Sequence, residues 1–381
     1  MVVYRPPMGF NTWNTFGHDI NEELIRQLAD AMVESGLRDA GYEYLVIDDV
    51  WQEKERNEKG ELAPDLKRFP NGMKAVADYV HSKGLKFGIY SCVGTMTCAG
   101  YPGSYRHEYT DAKTFAEWGI DFLKYDYCYR SKNAEGPDLY RRMALALKNC
   151  GRDILFSACS WGHDETAKWI DTTGANMWRL TGDIKDSWEH IKDLARQAIE
   201  VEGKNFINCF TDLDMLIVGM KGKGYCALTG CTHEEYKTHF SFWSLFGSPL
   251  MVGCDIREMD EETRGILFNK ELIAINQDKE FRRPFIMNGT DLPERDAEKL
   301  TVAKILGNGD VALGFFNFGD RKSHLQFFTL DMIGLDADQP LEITVQDLWT
   351  GEEYPLRNET IEVRNLQPHC CKMYRVRVNR K

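Results

Sequence analysis

The chain has 381 residues, 43% hydrophobic and 28% charged, with a formal charge of −12 and a pI near 5.3. Such a length and composition argue against a single small module and against a disordered or fibrous chain, and the acidic balance leaves no basic field for a phosphate backbone, so no nucleic-acid partner is expected. The stretch MVVYRPPMGFNTW has no basic region followed by an apolar one, and no apolar run could cross a bilayer, so the expectation is a cytoplasmic protein with no membrane partner.

In chain order, residues 1–280 alternate short apolar segments with amphipathic ones. The predicted strands are MGFNTW (8–13), YLVID (44–48), KFGIYS (86–91), DFLKYD (121–126), ILFSAC (154–159), ANMWR (175–179), FINCF (206–210) and PLMVG (249–253). After the first of them, Asn21 caps a predicted helix with Leu24, Leu28 and Met32 on one face, and Gly36 stops it. Later helices carry Met73, Val76 and Val80, then Tyr140, Met143, Ala144 and Leu147, then Trp188, Ile191, Ala195 and Ala198. This alternation implies an α/β fold, a (β/α)8 TIM barrel, although a doubly wound sheet would alternate in the same way.

Beyond Pro284 the period changes to two. KLTVAKIL and DVALGFFNF flank Gly307-Asn308-Gly309, a hairpin signal, and HLQFFTL, LEITVQDL and EVRNLQPHCCKMYRVRV follow. Residues 281–381 are therefore expected to form an antiparallel β-sandwich domain. The eleven cysteines are odd in number and scattered without CxxC pairs, and the nine histidines form no HExxH spacing. Neither a disulfide scaffold nor a metal site is expected, and no cofactor is implied.

In a barrel of this kind the reacting groups stand at the C-terminal ends of the strands and on the loops that follow. Acidic residues recur at those places: Asp48 and Asp49, Asp126, Asp183, Asp212 and Asp214. Any one of them reads most simply as the cap of the next helix, but the set converges on one rim. Alternation puts Phe122, Lys124 and Asp126 on one strand face, with Lys124 a layer below Asp126, where a cation would keep a carboxylate ionised and fit for nucleophilic attack. Arg179 lies four residues before Asp183. A structural ion pair also accounts for Lys124 and Arg179, and a Schiff-base lysine is a third reading of Lys124. Trp13, Trp51, Tyr90, Tyr101 and Trp161 fall at the same strand ends. Aromatic faces beside carboxylates suit a carbohydrate, and two carboxyls flanking an anomeric carbon hydrolyse a glycoside without a cofactor.

Seven segments together resemble glycoside hydrolase family 27, the family of α-galactosidases and α-N-acetylgalactosaminidases. They are MGFNTW, YLVIDDVW (44–51), TCAGYPGS (97–104), FLKYDYC (122–128), WRLTGDIKDSW (178–188), DLDML (212–216) and the stretch from SPLMVGCDIR to AINQD (248–278). The resemblance implies a retaining exo-glycosidase acting on terminal α-linked galactose in small oligosaccharides, with carboxyls about 5–5.5 Å apart. It implies Asp126 as nucleophile and Asp183 as acid/base. Trp13, Asp48 and Asp49 would meet the apolar face and the 4- and 6-hydroxyls of galactose, with Tyr90 and Lys124 beside them and Arg179 at the 2-position. Cys98, Cys159, Ser160, Trp161 and Asp214 complete the implied surroundings of the sugar.

Cys98 and Cys128 match a pair that is a disulfide in secreted relatives, and a reducing cytoplasm would favour the thiols. Ser160 stands where α-galactosidases commonly carry Glu, and a small residue there would open space beside the 2-position for an N-acetyl group. An α-N-acetylgalactosaminidase is therefore the alternative, although His163 and the Cys-x-Trp-Gly form favour an α-galactosidase. An inactive sugar-binding barrel is a further alternative, and assembly into a homo-oligomer stays open.

Overall fold

The structure is a computed structural model and describes residues 2–201, 205–287, 298–335, 341–357 and 359–380. The chain divides into two compact units, Met1–Gly230 with Pro249–Thr263, and Cys231–Ser248 with Arg264–Lys381.

The first unit is built on eight parallel strands: β1 (Met8–Asn11), β2 (Tyr44–Val46), β3 (Lys86–Cys92), β4 (Phe122–Asp126), β5 (Leu155–Cys159), β6 (Met177–Arg179), β7 (Phe210–Asp212) and β8 (Leu250–Val252). They pair in the order β7-β6-β5-β4-β3-β2-β1-β8. Each strand lies beside its neighbour in the chain, and Leu216, just past β7, closes the ring by a parallel bridge to Val252, its N–H donating to the Met251 carbonyl at 2.7 Å. A doubly wound sheet would reverse its order part-way. The fold is therefore the closed (β/α)8 barrel.

Helices α2 (Glu22–Glu34), α3 (Gly72–Ser82), α4 (Glu108–Trp118), α5 (Gly136–Lys148) and α6 (Trp188–Glu200) carry the crossovers, and α1 (Trp13–Phe16) is a single turn after β1. The Asn21 side chain accepts from the Leu24 N–H at 2.9 Å, and Leu24, Leu28 and Met32 of α2 are buried. On α5 and α6 the expected Ala144 and Ala198 are half-buried, while Ala146 and Leu194 fill the buried face. The crossover from β5 to β6 holds two short 3-10 turns, His163–Lys168 and Ile170–Thr172.

Two strand boundaries differ from expectation for a hydrogen-bonding reason. MGFNTW stops being a strand at Asn11, whose side chain accepts from the Trp13 N–H at 2.9 Å and turns the chain into α1. FINCF is a turn, with Phe206 bridging Cys209, and the strand is Phe210–Asp212. The Asn208 side chain, taking hydrogen bonds from the Val3 N–H and the Asn176 amide, holds its own backbone at φ 64° and leaves Phe206 and Ile207 exposed.

In the second unit, α7 (His233–Phe246) begins at a capping box formed by Thr232 and Glu235 and packs on two strands of an antiparallel sheet. Helices α8 (Glu261–Leu267, which begins in the first unit) and α9 (Lys270–Asn276) follow. The strands are β9 (Phe285–Ile286), β10 (Lys299–Ile305), β11 (Val311–Asn317), β12 (Ser323–Thr329), β13 (Leu341–Asp347), β14 (Glu353–Pro355), β15 (Thr360–Leu366) and β16 (Cys371–Arg380). They form a six-stranded sheet, β14-β13-β16-β11-β10-β9, and the pair β12-β15. The long final segment expected over 362–378 splits at a turn after Leu366 where His369 has a positive φ, which sends β15 and β16 to different sheets. Between the sheets Phe315, Phe328, Val345 and Val376 are fully buried, each worth roughly 2 kcal/mol of transfer free energy.

Candidate active site

At the C-terminal ends of the barrel strands lies a pocket of about 460 Å³. Its lining comes from the end of β1 and the turn after it (Asn11, Trp13, Asn14), from the residues after β2 (Asp48, Asp49), from Tyr90 on β3 and from Cys98 on the following loop. Lys124 and Asp126 of β4, Trp161 after β5, Arg179 and Asp183 around the end of β6, and Asp214 and Met215 after β7 complete it. Phe122 and Lys124 also line a smaller cavity deeper in the barrel, so the face shared by Phe122, Lys124 and Asp126 does point inward.

The cations are committed to particular carboxylates. Lys124 donates to Asp48 at 2.7 Å, and the Asn11 amide donates to the same oxygen at 2.8 Å. Arg179 is shared, one nitrogen 2.7 Å from Asp183 and another 2.7 Å from Asp214. Asp214 also accepts from the Ile184 N–H at 2.7 Å, and Asp49 from the Val50 and Ala99 N–H groups at 2.7 and 2.9 Å. A carboxylate buried with partners of this kind is tolerated where an unpaired one would not be.

Asp126 has the poorest compensation. It accepts from the Tyr127 N–H at 3.0 Å, and burial pushes its carboxyl up to about 7, against the pull of Lys124 and reinforced by the negative charge of Asp183. The expectation that Lys124 keeps Asp126 ionised is thus corrected: the ammonium is spent on Asp48, and desolvation outweighs its longer-range pull. Asp183 shifts the other way. Burial raises it, but the Arg179 guanidinium, helped by Lys124, outweighs that and holds its carboxyl below the ordinary range. Asp183 is also open to solvent, with 62% of its side chain exposed, whereas Asp126 is buried. Burial raises Asp214 to about 6 despite Arg179, and it raises Asp49. Burial lowers Lys124, but the combined pull of Asp48, Cys159 and Asp126 outweighs that and raises it well above the ordinary lysine value.

Two of the residues implied for the sugar's surroundings do not line this pocket. Cys159 is buried beneath it, 3.8 Å from an Arg179 nitrogen, and lines the deeper cavity. Ser160 is fully buried and its hydroxyl is 2.8 Å from that of Thr166, on the 3-10 turn behind the loop. Trp51 and Tyr101 are also set back. Trp51 is buried behind Tyr90, its indole N–H donating to the Tyr90 carbonyl, and Tyr101 lies under the Lys54 ammonium.

Asn11, Asn14 and Met215 line the pocket and were not anticipated. Asn11 had a signal, a polar residue at the end of an apolar strand. Asn14 had none, although its side-chain nitrogen is buried without a hydrogen-bond partner, an unsatisfied donor at the pocket wall.

Cys98 and Cys128 are joined in a disulfide that ties the loop after β3 to the end of β4, with Cα atoms 5.2 Å apart. Their sulfurs and an Asp126 oxygen lie within 4.8 Å of one another, but the bond between the sulfurs removes both thiolates as metal ligands.

Comparison with known proteins follows the same outline. Residues 5–278 match the family described as alpha galactosidase A, and residues 299–376 match the alpha galactosidase C-terminal beta sandwich domain. The chain belongs to the α-galactosidase family, glycoside hydrolase family 27. Among its relatives, alpha-galactosidase 2 of Arabidopsis thaliana is 42% identical over 98% of this chain and 89% of its own. The structure of α-galactosidase I from Mortierella vinacea superposes with a TM-score of 0.88 at 33% identity, covering 98% of this chain and 97% of that one. The Saccharomyces cerevisiae α-galactosidase solved with raffinose gives a TM-score of 0.86 at 28% identity, covering 99% and 98%. In this family member, then, the pocket at the strand ends is the candidate active site.

Proposed function

We propose that this chain is a retaining α-galactosidase that releases terminal α-linked galactose from small oligosaccharides by double displacement. The observation that carries the reading is the meeting of Asp126, buried, with Asp183, solvent-open, in one pocket walled by Trp13, Tyr90 and Trp161. In this mechanism Asp126 attacks the anomeric carbon and Asp183 protonates the departing oxygen, leaving a galactosyl ester on Asp126. Asp183 then takes a proton from the water that hydrolyses the ester. Asp48, Asp49 and the unsatisfied Asn14 amide offer hydrogen bonds to ring hydroxyls.

The protein's own electrostatics set the protonation order opposite to what these roles need, since Asp126 is raised and Asp183 lowered. The two interact, because the negative charge of Asp183 is one cause of the Asp126 shift. One proton moving from Asp126 to Asp183 as substrate binds would both free the nucleophile and arm the acid. Arg179 can remain engaged when Asp183 becomes neutral, because Asp214 is its second partner.

The rival chemistries lose support on specific contacts. Lys124 is held protonated by Asp48, so it offers no free amine for a Schiff base. Ser160 faces Thr166 away from the pocket, which takes away the local argument for an N-acetyl binding space. For the compartment, buried thiols such as Cys92, Cys159 and Cys254 support the cytoplasm, whereas the Cys98–Cys128 bond fits an oxidising milieu. No described helix is long and apolar enough to cross a membrane.

The deciding experiment measures rates on an aryl α-galactoside and an aryl α-N-acetylgalactosaminide side by side, with NMR of the first sugar released. The expected result is faster galactoside cleavage with α-galactose appearing first. Initial β-galactose, or preference for the N-acetyl substrate, would overturn the assignment.

A further inference from the structure

The loop between β7 and α7 carries an exposed aromatic residue, Tyr225, with 54% of its surface open. Its ring stands edge-on to Trp13, centroids 5.1 Å apart, and 5.6 Å from His18, while Trp13 and His18 are themselves 5.6 Å apart. Trp13 lines the pocket, so the three rings run from the pocket wall outward to solvent.

The loop is held by main-chain bonds on both sides. The Tyr225 and Cys226 N–H groups donate to the Thr15 and Asn14 carbonyls at 3.0 and 2.9 Å, which fastens it to the segment bearing Trp13. On the other side the Asp186 N–H donates to the Cys226 carbonyl at 3.0 Å, the Gly230 N–H to the Asp186 carbonyl at 2.9 Å, and the Gly222 N–H to the buried Asp186 carboxylate at 2.7 Å. Asp186 lies three residues beyond Asp183. Close packing fixes the ring as well: Gly17 has φ +50°, and a methyl group there would overlap the Tyr225 ring. Exposure alone is common, as at Tyr109 and Tyr129, but an aromatic ring fixed in place beside a reaction pocket and packed on its wall residue Trp13 is placed to receive a ligand surface.

We propose that Tyr225 is an aglycone platform, stacking on the sugar at the leaving-group side of the bond that is cleaved. The proposal rests on the α-galactosidase reading and refines its substrate class. The position follows from Asp183. The acid that protonates the glycosidic oxygen must stand between the two sugars, and the loop carrying Tyr225 is bonded both to the segment just after that acid and to the segment of the pocket wall. Galactose in the pocket would meet Trp13, and the next sugar would meet Tyr225. The ligand is thus an oligosaccharide whose second residue offers an apolar ring face, rather than a galactoside of a small alcohol.

The test compares kcat/KM for raffinose with kcat/KM for methyl α-galactoside, which has no second ring. In Tyr225→Ala the ratio of the two should fall about tenfold through the KM for raffinose, the scale of one lost stacking contact. In Tyr225→Phe the ratio should be retained, because the ring and not the hydroxyl does the work. If the wild type cleaves both substrates and the ratio is the same in Tyr225→Ala, the platform is refuted and the α-galactosidase reading stands. A wild type that cleaves neither substrate overturns both.

Discussion

The Lys124 ammonium sits 2.7 Å from Asp48 and gives its direct contact to that carboxylate rather than to Asp126 two residues along its own strand. This choice sets the electrostatics of the site. Asp48 is satisfied as an anion, with Asn11 as its second donor, and Asp126 is left buried with a raised pKa. The most perturbed catalytic candidate is the one whose nearest cation is engaged elsewhere.

Asp126→Asn and Asp183→Asn should fail differently. Without Asp126 no galactosyl ester forms, so the variant should lose essentially all activity on every α-galactoside. Without Asp183 an aryl leaving group of low pKa can still depart unprotonated, and the first, ester-forming step should survive on it while raffinose hydrolysis falls by about 10²–10⁴. Stopped-flow measurement of phenol release reads that step. A burst in Asp126→Asn and none in Asp183→Asn would exchange the two roles.

The raised carboxyl of Asp126 also predicts how stability depends on pH. Its folded pKa is about 7 against an ordinary value near 4, so the folded state binds this proton more tightly than the unfolded chain. The stability this supplies is fully present below pH 4 and is lost as the pH rises to about 7, at roughly 1.4 kcal/mol per pH unit. Asp126→Asn cannot ionise. Relative to the wild type its melting temperature should therefore rise steadily between pH 4 and 7 and level off above. A difference that stays flat across that range would show that Asp126 titrates normally.

Ser160→Glu should act on folding rather than on specificity. The new carboxylate would enter a fully buried place beside the Thr166 hydroxyl, at a cost of about 3 kcal/mol or more. Thermal denaturation should show the loss, and any activity on galactoside and N-acetylgalactosaminide substrates should decline in equal proportion. Selective loss of the N-acetyl activity in a stable variant would restore Ser160 to the sugar site.

Cys128→Ser removes the disulfide and leaves Cys98 at the pocket wall. The closed loop spans a sequence separation of 30, for which chain entropy gives about 3.5 kcal/mol of stability. Ala99, next to Cys98, donates to Asp49 at 2.9 Å, so loosening this loop should also weaken substrate binding. The expected result is a lower melting temperature with KM rising more than kcat falls, reproduced in the wild type by dithiothreitol. Unchanged KM in a protein of lowered stability would confine the bond to a structural role.

The sequence alone determined the alternation of strands and helices and the position of the chemistry along the chain, whereas the strand order and the Leu216–Val252 bridge decided for the closed barrel over a doubly wound sheet. Apolar runs of five or six residues, with helix caps such as Asn21 between them, are local signals that a barrel and a doubly wound sheet share. The rule that strand ends carry the site therefore brought Asp48, Asp49, Asp126, Asp183, Asp212 and Asp214 to one rim without coordinates, and of these only Asp212 lines the deeper cavity without lining the pocket. Tertiary structure decided what each of those groups faces. Lys124 and Asp48 are 76 residues apart, and Arg179 and Asp214 are 35 apart, so no periodicity links them. Ser160 and Cys159 follow the strand-end rule and still miss the pocket, because the turn after β5 rotates one toward Thr166 and the barrel interior takes the other. Asn14, Met215 and Tyr225 reach the pocket or its mouth only because distant segments are fastened together there. Periodicity reports which face of an element is buried, whereas the partner of a buried charge is fixed by what the folded chain places within about 3 Å of it.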